Sequence, residues 1–571
     1  MSNKTSFQNL TGSEIFCEAL LANGVEVIFG IPGGVLLPLY DVLPKYPELH
    51  HVLTRHEQAA GFAADAYART RKKAGVALAS SGPGATNLLT AIANAAADSV
   101  PVVFITGQVA SALMGSDAFQ ETDILGMSCT TVKHSIFVNK AENIAAAIHE
   151  AFAIAESGRP GPIHVDITKD AFQQKARYSL NKKVIHRKSD YLDLKFEKKA
   201  QELKKLLALP STKPIIIAGH GVALAGAVEE LRVFSERHHI PVVNTLLGVG
   251  ALALDHENSL SMLGMHGEAV ANYAVAEANL IFGFGIRFDD RITGTLDTFT
   301  KGKKFVHIEI DPSEIHKNVS ILLEFCGDLK TVLMKLNGEL STPHDFTKWW
   351  RQIRAYQQLH PLRTVSKKTH WKAQKGLSTP AIIAEISHAT QGQAIISSDV
   401  GRHQMWIPRF YNFRSAEYSH LSSGGLGAMG YGLPAAVGAS FAAPEREVWA
   451  ICGDGSIQMN IQELATLLQE KRHIKIAVMN DHSLGIVRQW QQLLYQGNIS
   501  QTDLTVLDFA AIARAYGHGG CTVEKASEIA AAIAEARAYD GTFLLNFLID
   551  PDEHVYPMVP PMTALGEQLI G

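Results

Sequence analysis

Gly453-Asp454-Gly455-Ser456, followed by an apolar helical pattern, the strand-like run Ile474 to Met479 and then Asn480-Asp481, decides the fold of this chain. Asp454 follows the strand-like run Glu447 to Cys452, so its carboxylate falls at a strand's carboxyl end, where open α/β sheets bind ligands. The helix after it returns the chain, and the next parallel strand delivers Asn480-Asp481 to the same edge. Oxygen ligands from two adjacent strand ends suit Mg²⁺, which takes few carboxylates and completes its shell with phosphate oxygens. Glycines beside Asp454 let the backbone approach a phosphate closely. A plain βαβ crossover with an Asp-Gly turn is the bland alternative.

The 571 residues leave room for three or four ordinary domains. Apolar residues make up 46% and charged residues 19%, an ordinary globular balance. The net charge of −4, with no Lys/Arg block, gives no reason to expect nucleic acid. The five cysteines form no CxxC and read as reduced thiols. No apolar run is long enough to span a bilayer, and the polar amino terminus has no signal-peptide pattern. The expectation is a cytoplasmic protein with neither membrane nor nucleic-acid partners.

Working outward, three blocks alternate helices with short, wholly apolar strands such as Val102 to Thr106, Pro214 to Ala218 and Ile474 to Met479. Strands apolar on both faces argue for parallel sheets covered by helices. The predicted fold is α/β, with three doubly wound domains at 1–172, 196–343 and 376–550, each around a mostly parallel sheet. Polar stretches at 173–195 and 344–375 read as linkers. A proline-containing tail, 551–571, reads as a loop packed near an active site. The shared style of sheet suggests an old duplication.

Several polar segments punctuate these blocks. Glu57, in Arg55-His56-Glu57, opens a largely apolar helix, where a carboxylate is favoured by the macrodipole and could also serve acid–base chemistry. Ser80 to Asn87 is a strand-to-helix turn with two glycines, able to present N–H groups to a ligand. The run Gly115 to Thr122 and the pair Lys133-His134 read alone as mixed loops. Arg287, Asp289, Asp290 and Arg291 follow a buried strand and suit the phosphates and hydroxyls of a dinucleotide as well as a self-contained ion-pair cluster. Glu309 and Asp311 end the next strand, within reach of a ribose hydroxyl. Gly425 to Gly430 matches GxGxxG, but the short, polar run 418–423 before it lacks the expected strand, so an NAD site is rejected.

Together these segments resemble one family, the catalytic subunit of acetohydroxyacid synthase (acetolactate synthase). The resemblance rests on RHEQ at Arg55, SGPGATN at Ser81, DAFQET at Asp117, SGRPGP at Ser157, LGMHG at Leu263, RFDDR at Arg287, GRHQMW at Gly401, SSGGLGAMGYGLPAA at Ser422 and QMNIQEL at Gln458. It implies thiamine diphosphate, Mg²⁺ and FAD as cofactors, with FAD doing no net redox work. Glu57 would meet N1′ of the aminopyrimidine. Asp454, Asp481 and the Ser483 carbonyl would hold the metal. Gly401, His403, Gly427, Gly455, Ser456, Leu484 and Gly485 would surround the diphosphate and thiazolium, with Met429 wedged beneath. For FAD the resemblance points to Arg159, Gly219, Gly221, Thr245, Leu263, His266, Gly285, Arg287, Asp290, Arg291, Glu309 and Asp328. Phe119, Gln120, Lys133, Met265, Arg287 and Trp490 would line the substrate channel.

The implied reaction decarboxylates pyruvate and joins the remaining two-carbon unit to pyruvate or 2-oxobutanoate, giving 2-acetolactate or 2-aceto-2-hydroxybutanoate. That is the first common step of branched-chain amino-acid synthesis. A tryptophan at 490 would favour 2-oxobutanoate. The family's minimal unit is a homodimer, with the cofactor between the first domain of one chain and the third of the other; a dimer of dimers and a small regulatory subunit also fit. Two departures stand out: Asp481 replaces the usual Asn, and Arg402 replaces the usual Gln, and the extra cation is expected to offset the extra charge. Ile31 in place of the common Tyr reads as neutral. A pyruvate oxidase-like enzyme, a FAD-free acetolactate synthase and a non-catalytic paralogue are the rival readings.

Overall fold

The computed structural model describes residues 7–179, 195–361, 375–414 and 419–570; parts of both expected linkers, 180–194 and 362–374, lie outside the described residues. The first block contains β1 (Phe7–Thr11), β2 (Val27–Gly30), β3 (His50–Leu53), β4 (Gly75–Ala79), β5 (Val102–Gln108), β6 (His134–Val138), β7 (Ile163–Thr168) and β8 (Lys175–Ser179). The second contains β9 (Pro214–Ala218), β10 (Val242–Asn244), β11 (Ser259–Met262), β12 (Leu280–Phe284), β13 (Lys304–Glu309) and β14 (Leu323–Cys326). The third contains β15 (Ile395–Ser398), β16 (His420–Ser422), β17 (Val448–Gly453), β18 (Ile474–Asn480), β19 (Gly519–Val523) and β20 (Phe543–Leu548).

Three six-stranded parallel sheets result, in the orders β3-β2-β4-β5-β7-β6, β11-β10-β9-β12-β13-β14 and β16-β15-β17-β18-β20-β19. The central strands are buried along their whole length, as an apolar parallel sheet between helices must be. Counted within each sheet, the first and third share the order 2-1-3-4-6-5, whereas the middle one is 3-2-1-4-5-6, the dinucleotide-binding order. The likeness expected of all three blocks therefore extends to strand order only in the first and third. Each sheet has a switch point, between β2 and β4, β9 and β12, and β15 and β17, and the crevice beyond it is where such sheets bind ligands.

Small residues bring the first and third sheets together. The helices Glu57–Arg71 and Gly432–Ala442 meet so closely that a Cβ on Gly438 would lie 2.0 Å from the Ala63 carbonyl oxygen. Ala60, Ala63, Ala64, Ala435, Ala436 and Ala439 thus belong to one core shared by both sheets.

Structure occupies places read as linker or loop. β8 pairs antiparallel with β1, within the expected linker 173–195. The helix Thr347–Leu359 lies within the expected linker 344–375, yet Trp349, Trp350 and Ile353 enter the middle core. Its aromatics and cations read as linker because only one face is apolar. Lys133 leads into β6, which His134 opens, an edge strand buried only at Val138. β16 does precede the GxGxxG match, contrary to the sequence reading; it is a three-residue edge strand, too short to leave a hydrophobic signature. The tail returns to the middle block, where Val559 N–H donates to the Met265 carbonyl at 2.7 Å and Leu565 is buried. Among the described residues no helix is long and apolar enough to cross a membrane.

The Trp349 indole N–H donates to the Pro214 carbonyl at 3.0 Å from a buried position. Trp349→Ala is expected to destabilise the middle domain by about 3–5 kcal/mol. Arg351→Ala, on the exposed face of the same helix, should stay within about 0.5 kcal/mol of the parent. Urea midpoints of the two variants test this; equal midpoints would return the helix to the status of a linker.

Candidate active site

At the carboxyl edge of the third sheet the ends of β15, β17 and β18 converge. Asp454 opens a short helix directly after β17, 2% exposed, and its Oδ2 has no hydrogen-bond partner among the described residues. Burial, then the charge of Asp481, raises its pKa. Asp481 Oδ1 accepts from the Ser483 N–H and hydroxyl, each at 2.9 Å, through a turn in which His482 takes φ +55°. Asp481 Oδ2 accepts from the Arg402 guanidinium. A buried, unpartnered carboxylate oxygen facing a second carboxylate is a donor set for a hard cation.

The other residues expected around the diphosphate lie alongside. A Cβ on Gly455 would stand 2.7 Å from Leu484 and 3.7 Å from Met429, and one on Gly453 3.2 Å from the His403 ring. Burial lowers the His403 pKa to about 3, leaving a neutral imidazole whose Nε2 has no partner among the described residues. Gly427 holds φ +70° in the loop that carries Met429, a conformation few other residues accept. Asp399, absent from the sequence reading, anchors that loop: its carboxylate accepts from the N–H groups of Val400, Gly430 and Gly432 at 2.8, 2.9 and 3.0 Å. Its position just beyond β15, at the switch point, was the available signal.

In the first domain, Glu57 is half-buried at the start of its helix, and Oε2 accepts from Asn87 Nδ2 at 2.9 Å. The glycine turn hugs it: a Cβ on Gly84 would lie 3.3 Å from Glu57 Oε1, and one on Gly82 2.9 Å from the Gln120 carbonyl. Gln120 itself holds φ +61°, a strained backbone of the kind concentrated at functional sites. Gln58 Oε1 accepts from Asn460 Nδ2 at 3.3 Å, and that amide also donates to the Gly430 carbonyl, linking Glu57's helix to the Met429 loop.

Between the three domains lies a cleft of about 1820 Å³, larger than the roughly 300–1,000 Å³ of ordinary ligand pockets. All twelve residues expected at FAD line it. At the middle switch point Gly219 and Gly221 allow the backbone to approach Gly285, within 2.3 and 2.6 Å of where their Cβ atoms would be. His266 Nδ1 is buried and unpartnered among the described residues, and Glu309, at the end of β13, is 8% exposed. Arg159 donates to Glu314 at 2.7 Å and to Ser99 at 2.8 Å. Met265, Arg287, Gly401, Gly427 and Trp490 line the same cleft, and the Arg287 guanidinium makes one long bond, 3.4 Å, to Asp289.

Glu57, Phe119, Gln120 and Lys133 do not line this cleft within the single chain. Phe119 is 87% exposed, and Lys133 Nζ donates to the carbonyls of Ile154 and Ser157 at a helix carboxyl end. Burial lowers the Lys133 pKa to about 8.

Burial raises the Glu309 pKa from the ordinary 4.5 to about 7, while its Oε1 accepts from the Ile310 and Asp311 N–H groups. The folded protein therefore binds the extra proton between these values, and stability falls as pH rises through that window. Glu309→Gln keeps the acceptor and removes the charge. Its ligand-free form should melt above the parent at about pH 8, the gap closing toward about pH 4.5; parallel melting curves at all pH values would contradict this.

Comparison with known proteins places the chain. The family descriptions "Thiamine pyrophosphate enzyme, N-terminal TPP binding domain", "central domain" and "C-terminal TPP binding domain" match residues 10–127, 201–336 and 399–547. Acetolactate synthase large subunit of Haemophilus influenzae is 41% identical over 572 residues, covering 99% of this chain and 98% of that protein. Acetolactate synthase large subunit IlvB1 of Mycobacterium tuberculosis is 40% identical, over 98% of this chain and 92% of its own length. The chloroplastic acetolactate synthase of Arabidopsis thaliana is 41% identical, over 96% and 83%. With three domain matches in order and near-complete coverage, the chain belongs to the acetolactate synthase large-subunit family of thiamine-diphosphate enzymes.

Proposed function

We propose that this protein decarboxylates pyruvate and joins the two-carbon unit to pyruvate or 2-oxobutanoate, forming 2-acetolactate or 2-aceto-2-hydroxybutanoate. The supporting observation is the juxtaposition in one cleft of Arg287 and Trp490 with Gly401 and Gly427, which border the third domain's strand ends. The family's cofactors are thiamine diphosphate, Mg²⁺ and FAD. Thiamine diphosphate, when bound, supplies the electron sink for decarboxylation.

The chain's own residues divide the remaining work. Asp454, Asp481 and the Ser483 carbonyl would hold the metal, and Asp454 Oδ2 is buried and unpartnered among the described residues. Gly401, His403, Gly455, Ser456, Leu484 and Gly485 border the diphosphate, with Met429 against Gly455 as a wedge. Glu57, oriented by Asn87, holds a proton at N1′ of the aminopyrimidine. The twelve residues named for FAD hold the flavin along the middle switch point. Arg287, whose planar fork matches a carboxylate, grips the second 2-oxo acid. Trp490 packs on that acid's alkyl group.

Glu57, Phe119, Gln120 and Lys133 act from a second copy of the chain in a homodimer. The exposed Leu113, Met114, Phe119 and Met127 support this, since clustered apolar side chains mark a contact surface. The relatives' designation as large subunits supports a smaller regulatory partner.

Supplied with pyruvate and 2-oxobutanoate together, the protein should form both products without consuming oxygen. Trp490→Leu should lower the preference for 2-oxobutanoate by about ten-fold, the weight of one methylene in a shaped pocket. Glu57→Gln should lower turnover by about 10²-fold or more with cofactors still bound. Oxygen uptake would favour the oxidase reading. No product from the cofactor-loaded parent would favour the paralogue.

A further inference from the structure

Beside the expected metal position sits a cation that belongs to the protein. The Arg402 guanidinium donates through Nη2 to Asp481 Oδ2, with side-chain exposures of 5% and 6%. Its Nη1 donates to the carbonyls of Pro551 and Glu553 at 2.9 and 3.0 Å, so three acceptors from two distant segments fix its orientation. Gly485 makes room for the pair: a Cβ there would lie 2.5 Å from both Arg402 Nε and Asp481 Oδ2. Glu553, half-buried nearby, accepts from the Ser378 hydroxyl and Thr379 N–H at 2.6 and 2.8 Å.

Asp481 thus has protein donors on both oxygens, while Asp454 Oδ2 has none among the described residues. The guanidinium offsets the Asp481 carboxylate, so an incoming divalent ion meets one fewer net negative charge than the carboxylates alone would present. We propose that Arg402 is the built-in counter-cation of this metal site: it holds Asp481 in one geometry and sets the charge that the metal meets. This inference rests on the metal site read above. It makes Arg402 a positioning residue that weakens cation binding by its charge while keeping Asp481 ordered in the empty protein.

The test is Mn²⁺ binding to the full-length protein at saturating thiamine diphosphate, read from the electron paramagnetic resonance signal of free Mn²⁺. Arg402→Gln should bind Mn²⁺ about ten-fold tighter or more, since a charge a few ångströms away in a partly dry site is strongly felt. Asp481→Asn should bind about ten-fold more weakly, and the double variant should return to within about three-fold of the parent. Arg402→Lys, which keeps the charge, should stay within about three-fold of the parent.

Without metal, Arg402→Gln should melt below the parent, because it strands a buried carboxylate, and Mn²⁺ should raise its melting point more than the parent's. If Arg402→Gln binds no tighter than the parent, or Arg402→Lys behaves like Arg402→Gln, the counter-cation is overturned. Should Arg402→Gln fail to fold, the double variant must still bind about ten-fold tighter than Asp481→Asn. Absence of Mn²⁺ binding by the parent overturns the metal reading and this inference together, whereas a binding parent with four equal affinities overturns only the inference.

Discussion

Arg69 is the interaction on which the domain arrangement depends. Its fully buried guanidinium donates to Asp65 at 2.7 Å, to Asp98 at 2.9 Å and to the Ser422 carbonyl at 3.2 Å. Asp98 in turn accepts the N–H groups of Gly424 and Gly425 at 3.0 and 2.7 Å, and Tyr431 donates to Asp65 at 2.9 Å. The Asp98 carbonyl lies 2.9 Å from His220 Nδ1 in the middle domain. A buried ion-pair network adds little net stability because desolvation offsets the attraction, but stranding one member costs about 3–5 kcal/mol. The network therefore acts chiefly on geometry. It permits one placement of the loop 424–430, which carries Gly427 and Met429, against the first and middle domains.

That loop reaches its place because three sheets direct their strand ends toward common ground. The first and third sheets repeat one strand order, and their helices Glu57–Arg71 and Gly432–Ala442 merge into one core. The middle sheet has a different order, suited to a dinucleotide, and its switch point opens on the cleft that Trp490 reaches from the third domain. Rigid strands hold the glycine turns and carboxylates, and the loops beyond them carry the chemistry. At the proposed metal site the same logic appears in miniature. Asp454 and Asp481 come from neighbouring parallel strands, and Arg402 follows the strand on the other side of β17.

Much of this was legible in the residue order. Fully buried strands are apolar throughout, so β5, β9 and β18 stood out as short hydrophobic runs. Three edge elements were not legible: β14 alternates, β16 is only three residues long and β6 is buried only at Val138, and a half-buried edge strand looks like loop. The helix Thr347–Leu359 was lost because its exposed face is rich in Arg, Lys and Gln. Among site residues, the glycine and carboxylate strings announced themselves by spacing. The charge balance between Arg402 and Asp481 was expected, and the structure adds a direct contact and two further acceptors, the Pro551 and Glu553 carbonyls. Asp65, Arg69 and Asp98 carried no signal, since an i,i+4 ion pair on a helix reads as a solvated face until that face is seen to be covered.

By itself, then, the chain determined its class of fold, its family and which residues are candidates for the chemistry. Those properties are written in local periodicity and in motifs a few residues long, which depend only on neighbours in the chain. The tertiary structure alone decided which groups meet. It brought Asp98 to Gly425 across 327 positions, put Arg402 on Asp481 across 79, and left Gln120 and Lys133 on a surface apart from Trp490. Contacts of that separation are set by how twisted sheets and close-packed helices stack, and side-chain volume and buried charge select one stacking from many.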